Sequence, residues 1–532
     1  MALSARGKRL IIKGVVVLLV LGVPAAWFVW YKFFRDVPQA EWITGNQEMN
    51  FLYGSIGSEN QGGIPYWIVV VLPRIFGTEY LPGPGGYASL GLPWQEGKEF
   101  PAGFSKKTIG FERVGFNCAL CHATQYRIRE NQTPTIVAAG GSHTTDVQGL
   151  LQFFSDAAND PRFNADTILT EIDLAYRLSW IDRLLYKYLF IPLTRKQLIE
   201  QGRQFAWAHK RPPWGPGRDA PMNLTKFNLL QMTPDDGSVD NTDFPAIWHL
   251  DARIQKGRVW PEDDYSMVAD FSKVGIDQSQ LMLMNLAGDT TSFRSVVIDS
   301  ALGLQAKNSE FFRQRMADLE SWLRKVRAPR YPIRASSEES ALAAEGRPIF
   351  EQHCANCHAE GRKNRLGTVV PLEEVKTDAE RANSWTAAAA NGANKVVAGF
   401  GIRRTPMSKP PRTGYTAVQL DGLWLRGPYL HNGSVPTVRH LLEPTACRPA
   451  VFYRGYDVLD PENLGFVARR CDQTPASPPR GCEPVLESGC MPADKGWRYD
   501  TAERGNGNGG HEFGVGLSGA EKRKLIAFLK TF

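Results

Sequence analysis

Two pentapeptides set the limits on what this chain can become: Cys118-Ala119-Leu120-Cys121-His122 and Cys354-Ala355-Asn356-Cys357-His358. Two thiols two residues apart can form thioether bonds to the vinyl groups of one haem, and the adjoining histidine then meets the iron as proximal ligand. A structural zinc site would need further thiolates or histidines nearby, and the adjacent His353 completes no such pattern. A thioredoxin-like redox pair does not require a histidine directly after the second cysteine, yet it stands there twice. The expectation is two covalently bound haem c groups, held by Cys118, Cys121, Cys354 and Cys357, with His122 and His358 on the irons.

Compartment follows from this chemistry. The net charge of +7 includes Arg6, Lys8, Arg9 and Lys13, so the remainder of the chain is close to balanced and nucleic-acid binding is not expected. From Gly14 to Tyr31 the sequence carries no charge, and as a helix these eighteen residues would reach about 27 Å. That length, with basic residues before it and aromatic ones at its far end, predicts a single-pass inner-membrane anchor and a periplasmic body. The rival reading is a cleaved signal peptide ending near Val23-Pro24-Ala25. Cys447, Cys471, Cys482 and Cys490 fall together in a late segment, where an oxidising compartment favours two disulfides, and three pairings are open.

The predicted fold is mainly α: two class I cytochrome c-like haem domains with long irregular loops and insertions, plus the transmembrane helix. The expected division is a basic tail (1–13), the anchor (14–34) and an N-terminal haem domain (35–326). A linker (327–335) and a C-terminal haem domain (336–532) follow, the latter with a Cys-rich insertion (447–496). Helical periodicity marks Asp146 to Phe154, Ile168 to Leu189 and Asn308 to Val326. Ser336 opens the helix approaching the second motif, and Ser518 with Glu521 caps a terminal helix striped by Leu525, Phe528, Leu529 and Phe532.

Several longer stretches resemble the bacterial di-haem cytochrome c peroxidase superfamily, and within it the rubber-oxygenase-like branch. They are Tyr53-Gly54-Ser55-Ile56-Gly57 with Gly63-Ile64-Pro65-Tyr66, the segment Val114 to His122, and the run from Leu425 to Thr437 containing Pro428-Tyr429-Leu430-His431-Asn432-Gly433-Ser434. Gly455-Tyr456-Asp457 with Gly465-Phe466-Val467, and the terminal Gly505 to Gly514 containing Gly510-His511-Glu512-Phe513-Gly514, complete the likeness. The resemblance implies that His358 is proximal and His511 distal on a second haem used for electron transfer or tuning. It implies that His122 is proximal on a first haem that binds oxygen. Met407, His431 and His440 compete with His511 for the sixth position.

What lies over the first haem decides the reaction. Phe244 and Trp248 are the expected apolar lining of an oxygenase pocket, whereas a peroxidase needs an acid/base group there. Three functions follow: an oxygenase-like enzyme using dioxygen on an apolar organic substrate, a hydrogen peroxide reductase fed by a small cytochrome c or cupredoxin, and a non-enzymatic electron carrier. An anchored protein could not readily meet an insoluble polymer, so polyisoprene is not assigned as substrate.

Overall fold

A computed structural model describes residues 13, 15, 16, 18–248, 301–359, 365, 366, 369–398, 414–473 and 479–532. Among the described residues helix makes up 45% and strand 12%, so the chain is more helix than strand, with strand in small sheets. The first sheet shows where that strand goes. Four antiparallel strands, β1 (Asp36–Val37), β2 (Ile64–Pro65), β3 (Phe104–Ile109) and β4 (Phe111–Phe116), lie in the order β1-β3-β4-β2. The β3–β4 hairpin turns at Gly110, and β4 runs straight into Asn117 and Cys118, so the sheet delivers the first motif to its place.

The transmembrane expectation for 14–34 is corrected, because no helix among the described residues is long and apolar enough to cross a membrane. The described stretch is a short α-helix, Val23–Val29, between wider π-helical segments at Leu18–Gly22 and Trp30–Phe34. Pro24, which has no N–H to donate, lies in its first turn. The far end is stitched to the body: Lys32 pairs with Asp182 at 2.5 Å and Phe33 packs edge-on against Phe190.

The other helical expectations are met with one break. Asp146 caps Val147–Asn159 by accepting from the Gly149 N–H, and Ser309 caps Glu310–Leu323. The run expected from Ile168 to Leu189 divides after Ala165–Ala175. Tyr176 turns extended to stack on Trp67, ring centres 4.6 Å apart, and Ser179 then caps a new helix at Trp180–Leu185.

Three large apolar clusters organise the molecule. One joins Leu72, Phe104, Leu120 and Phe153, and a second joins Phe51, Ala119, Phe312 and Leu319, so the first motif sits where the two meet. The third holds Phe350, Trp424, Leu525 and Phe528 beneath the second motif. In it the helices Ser337–His353 and Gly519–Leu529 cross, and a Cβ on Gly346 would come closer than 3.0 Å to the Lys524 carbonyl. The capping box between Ser518 and Glu521 forms as the sequence predicts.

The late cysteines pair as Cys447–Cys482 and Cys471–Cys490, resolving the three alternatives. Contacts between the sequence halves include specific polar pairs beside the apolar packing of the third cluster. Arg127 bonds Asp457 at 2.5 and 2.9 Å, and the Thr242 hydroxyl and Asp243 N–H both donate to the His431 carbonyl.

Candidate haem sites

The first motif occupies the short helix Ala119–His122. Asn117, almost fully buried, fixes its start: its side-chain oxygen accepts from the Ala119 N–H at 2.9 Å while its amide donates to the Gly54 carbonyl, also at 2.9 Å. That contact explains why Tyr53-Gly54-Ser55 accompanies the motif. The His122 ring donates from Nδ1 to the Pro245 carbonyl at 2.9 Å, which leaves Nε2 with its lone pair free for a metal. Burial pushes His122 down to about 4, so the ring is neutral at physiological pH, the form that ligates.

None of the four motif cysteines is in a disulfide, and burial would push the thiols of Cys118 and Cys354 up to about 11 and raise those of Cys121 and Cys357 as well. A catalytic redox pair needs a lowered thiol pKa, so this environment opposes the thioredoxin-like alternative. No group of three or more His, Cys, Asp or Glu side chains placed to hold a metal ion occurs among the described residues.

A cavity of about 1070 Å³ opens over Cys118, Cys121 and His122. It is at the upper end of the roughly 300–1,000 Å³ usual for small-molecule sites, as a large planar prosthetic group with room beside it requires. Phe116, Leu150, Phe154, Phe205 and Phe244 supply apolar wall, and Glu200 and Asp219 supply acid groups. Phe244 lies 6.4 Å from the His122 ring, centre to centre. Trp248 takes a different place: it is absent from this wall, fully buried in the third apolar cluster, and its indole N–H donates to the Asp421 carbonyl at 2.9 Å.

The second motif is held in the same manner. The His358 Nδ1 donates to the Val418 carbonyl at 2.7 Å, and burial keeps this ring neutral too. The His511 ring faces it with centres 6.1 Å apart. Two metal–nitrogen bonds of about 2 Å plus about 1.2 Å from each nitrogen to its ring centre give roughly 6.4 Å, so one iron fits between the two rings. Burial pushes His511 down to about 3, and its Nδ1 has no hydrogen-bond partner.

His511 is presented by the glycine-rich loop, and the loop is gripped from three sides. Its own N–H donates to the Val375 carbonyl at 2.7 Å. Arg448 donates to the carbonyls of Asn508 and Gly510 at 2.6 and 2.8 Å, and the Asn432 amide donates to those of Gly505 and Gly507. The Pro428–Ser434 stretch is therefore the cradle of the terminal loop. The same stretch, through the His431 carbonyl, holds the segment Thr242–Pro245 that orients His122.

The competing ligands are otherwise placed. His440 has its Nδ1 within 2.7 Å of the Thr437 hydroxyl, and His431 stacks on Tyr415 at 4.0 Å. Met407 lies outside the described residues. Sequence reasoning missed the orienting carbonyls of Pro245 and Val418, because a backbone carbonyl leaves no mark in a sequence. It also missed Arg448, whose neighbour Cys447 was the one local signal.

Residues 414–453 match a family model described as RoxA-like, cytochrome c-like. That stretch contains Val418 and the Pro428–Ser434 cradle but neither Cys-x-x-Cys-His motif. Two curated relatives, both from Sinorhizobium fredii (strain NBRC 101917 / NGR234), are named as uncharacterized proteins. The protein y4iJ is 28% identical over 268 residues, covering 39% of this chain and 41% of its own length. The protein y4iM is 35% identical over 165 residues, covering 24% of this chain and 36% of its own length. The chain thus spans about two fifths of the curated relatives it matches. The similarity supports a cytochrome c-like domain, the kind that carries covalently bound haem c outside the cytoplasm.

Proposed function

We propose that the protein is an extracytoplasmic di-haem oxidoreductase with one open and one closed iron, built on haem domains at 35–326 and 336–532. The observation that carries this reading is the contrast between the two sites: His358 and His511 face each other at 6.1 Å, whereas His122 faces a cavity of about 1070 Å³. When bound, haem supplies an iron that exchanges one electron and, where one axial position is open, takes dioxygen or peroxide.

The protein's own part is positioning and exclusion. Pro245 fixes the plane and tautomer of His122. Phe116, Leu150, Phe154 and Phe244 give the cavity an apolar wall against which an apolar organic substrate can lie beside the open position. His358 and His511, both held neutral by burial, close the second iron, which then serves electron transfer or tuning. The first reading is therefore dioxygen activation on an apolar substrate.

Glu200 and Asp219 on the cavity wall favour a second reading, hydrogen peroxide reduction with electrons from a small cytochrome c or cupredoxin, because splitting peroxide needs an acid/base group. The test is to give the holoprotein dioxygen with an olefinic apolar compound, and separately peroxide with a reduced small cytochrome. Product formation consuming dioxygen supports the first reading, and peroxide-dependent oxidation of the cytochrome the second. Failure of both, with no carbon monoxide binding by the reduced protein, overturns the enzyme reading.

A further inference from the structure

Large apolar side chains that stand well into solvent gather in one region. Among the described residues all but four of them, Trp42, Val451, Leu486 and Phe513, fall within 15–34 or 174–193. In the second stretch Trp180 is 73% exposed and Tyr188 69%, with Leu184 between them at 47%. These three are spaced four residues apart along the helical segments Trp180–Leu185 and Tyr186–Phe190 and share one side of them, while Tyr186 and Phe190 turn into the core. Leu174, Tyr176 and Leu193 flank them, each more than half exposed.

The two stretches adjoin. Lys32 pairs with Asp182 at 2.5 Å and Phe33 packs against Phe190, so the N-terminal segment, with Trp27, Trp30 and Phe34 exposed, meets the body beside Trp180. The carboxylates of this region are already matched: Asp182 by Lys32, Asp173 by Arg183, Asp166 by Lys187, Glu171 by Arg74 and Glu200 by Arg203. Arg177 and Lys196, both exposed, pair with no carboxylate among the described residues, so the surplus charge is positive.

Single exposed apolar side chains are ordinary, whereas a contiguous patch marks an interaction surface. Tryptophan and tyrosine beside leucines, with unmatched lysine and arginine at the edge, suit a lipid interface, where the rings lie at headgroup level and the cations meet anionic phosphates. A second copy seated face to face about a two-fold axis would set the same surplus cations against each other. Leu193 and Lys196 also line the His122 cavity, so the exposed face reaches the cavity's rim along the helix Ile191–Gln204.

We propose that this face docks onto an anionic lipid bilayer, lying in its interface without crossing it, and brings the rim of the His122 cavity to the lipid. The docking stands apart from the iron chemistry. Only its consequence, that an apolar substrate dissolved in the bilayer enters the cavity from the docked side, rests on the reading proposed above.

The experiment uses the full-length holoprotein with vesicles of phosphatidylglycerol and phosphatidylethanolamine, beside vesicles of phosphatidylcholine alone. Flotation compares wild type with a variant carrying Trp180→Ser, Leu184→Ser and Tyr188→Ser together, and hydrogen exchange is followed on wild type with and without vesicles. Wild type should float with the anionic vesicles and less so at high salt, and amides within 174–193 should exchange more slowly when those vesicles are present. The triple variant should bind about tenfold or more weakly, since three side chains lose their burial in lipid. Wild type that binds neither vesicle, or both equally, overturns the proposal. So does binding that the triple variant keeps with exchange in 174–193 unchanged, which assigns it to the N-terminal segment alone. A wild type that sediments as a dimer without lipid, beside a monomeric triple variant, also overturns it and assigns the face to a second copy. The exchange comparison on wild type decides even if the variant fails to fold. A protein that docks but shows neither dioxygen nor peroxide chemistry defeats the reading of the first iron and leaves the docking in place.

Discussion

Replacing Gly510 with alanine tests how His511, the proposed sixth ligand of the second haem, is presented. Gly510 has φ +77°, and an added Cβ would come closer than 3.0 Å to backbone atoms of Lys376 and Thr377. None of these atoms belongs to a flexible side chain, so the loop itself must retreat. The left-handed backbone costs an alanine about 1 kcal/mol or more, and displacing packed backbone adds about 1–3 kcal/mol, or about 3 kcal/mol together. For a cooperative unit of 150–250 residues that corresponds to a Tm lower by about 6–12 °C. The displacement falls one residue from His511, whose N–H is held by Val375 at 2.7 Å. The oxidised second haem should therefore change from low-spin towards high-spin in its absorption spectrum, with the first haem unaffected. A Gly510→Ala protein that keeps both its Tm and its low-spin band would refute this account of how His511 is held.

Arg448→Ala removes donors to the carbonyls of Leu441, Glu443, Asn508 and Gly510, and should cost about 2–4 kcal/mol with partial loss of the low-spin band, read by thermal melting and absorption together. Cutting the Cys447–Cys482 bridge, which spans 35 residues, should cost about 4 kcal/mol from freed chain entropy, measured by denaturant unfolding of the double serine variant. His440 is buried and pushed down to about 3, below its unfolded value of about 6.5, so the unfolded chain binds the extra proton. Its contribution is complete above pH 6.5 and is lost as pH falls from there, amounting to about 2 kcal/mol at pH 5. The difference in unfolding free energy between wild type and His440→Gln should accordingly narrow between pH 7 and pH 5.

What was legible is local. The expectation of haem attachment rests on five residues at Cys118-Ala119-Leu120-Cys121-His122 and five at Cys354, and the helix start at Ser518 and Glu521, which the structure forms, on four. What sequence could not show depends on long-range placement. The Pro245 carbonyl is 123 residues from His122, and the pairing of four cysteines has no local signature. Trp248 and Phe244 look alike as nearby aromatics, yet one turns into the C-terminal core and the other to the His122 cavity. The helix break at Tyr176 coincides with a stack on Trp67, a tertiary contact that periodicity does not encode. The transmembrane expectation counted apolar residues correctly but took one regular α-helix for granted, where the hydrogen bonding changes from π to α and back along Leu18–Phe34.

The central claim is that the two irons differ in coordination. Electron paramagnetic resonance of the oxidised holoprotein, wild type beside His511→Ala, tests it most directly. The account predicts one high-spin and one low-spin iron in wild type, with the low-spin signal alone lost in the variant. Two low-spin irons in wild type, or a variant spectrum identical to it, would contradict the account.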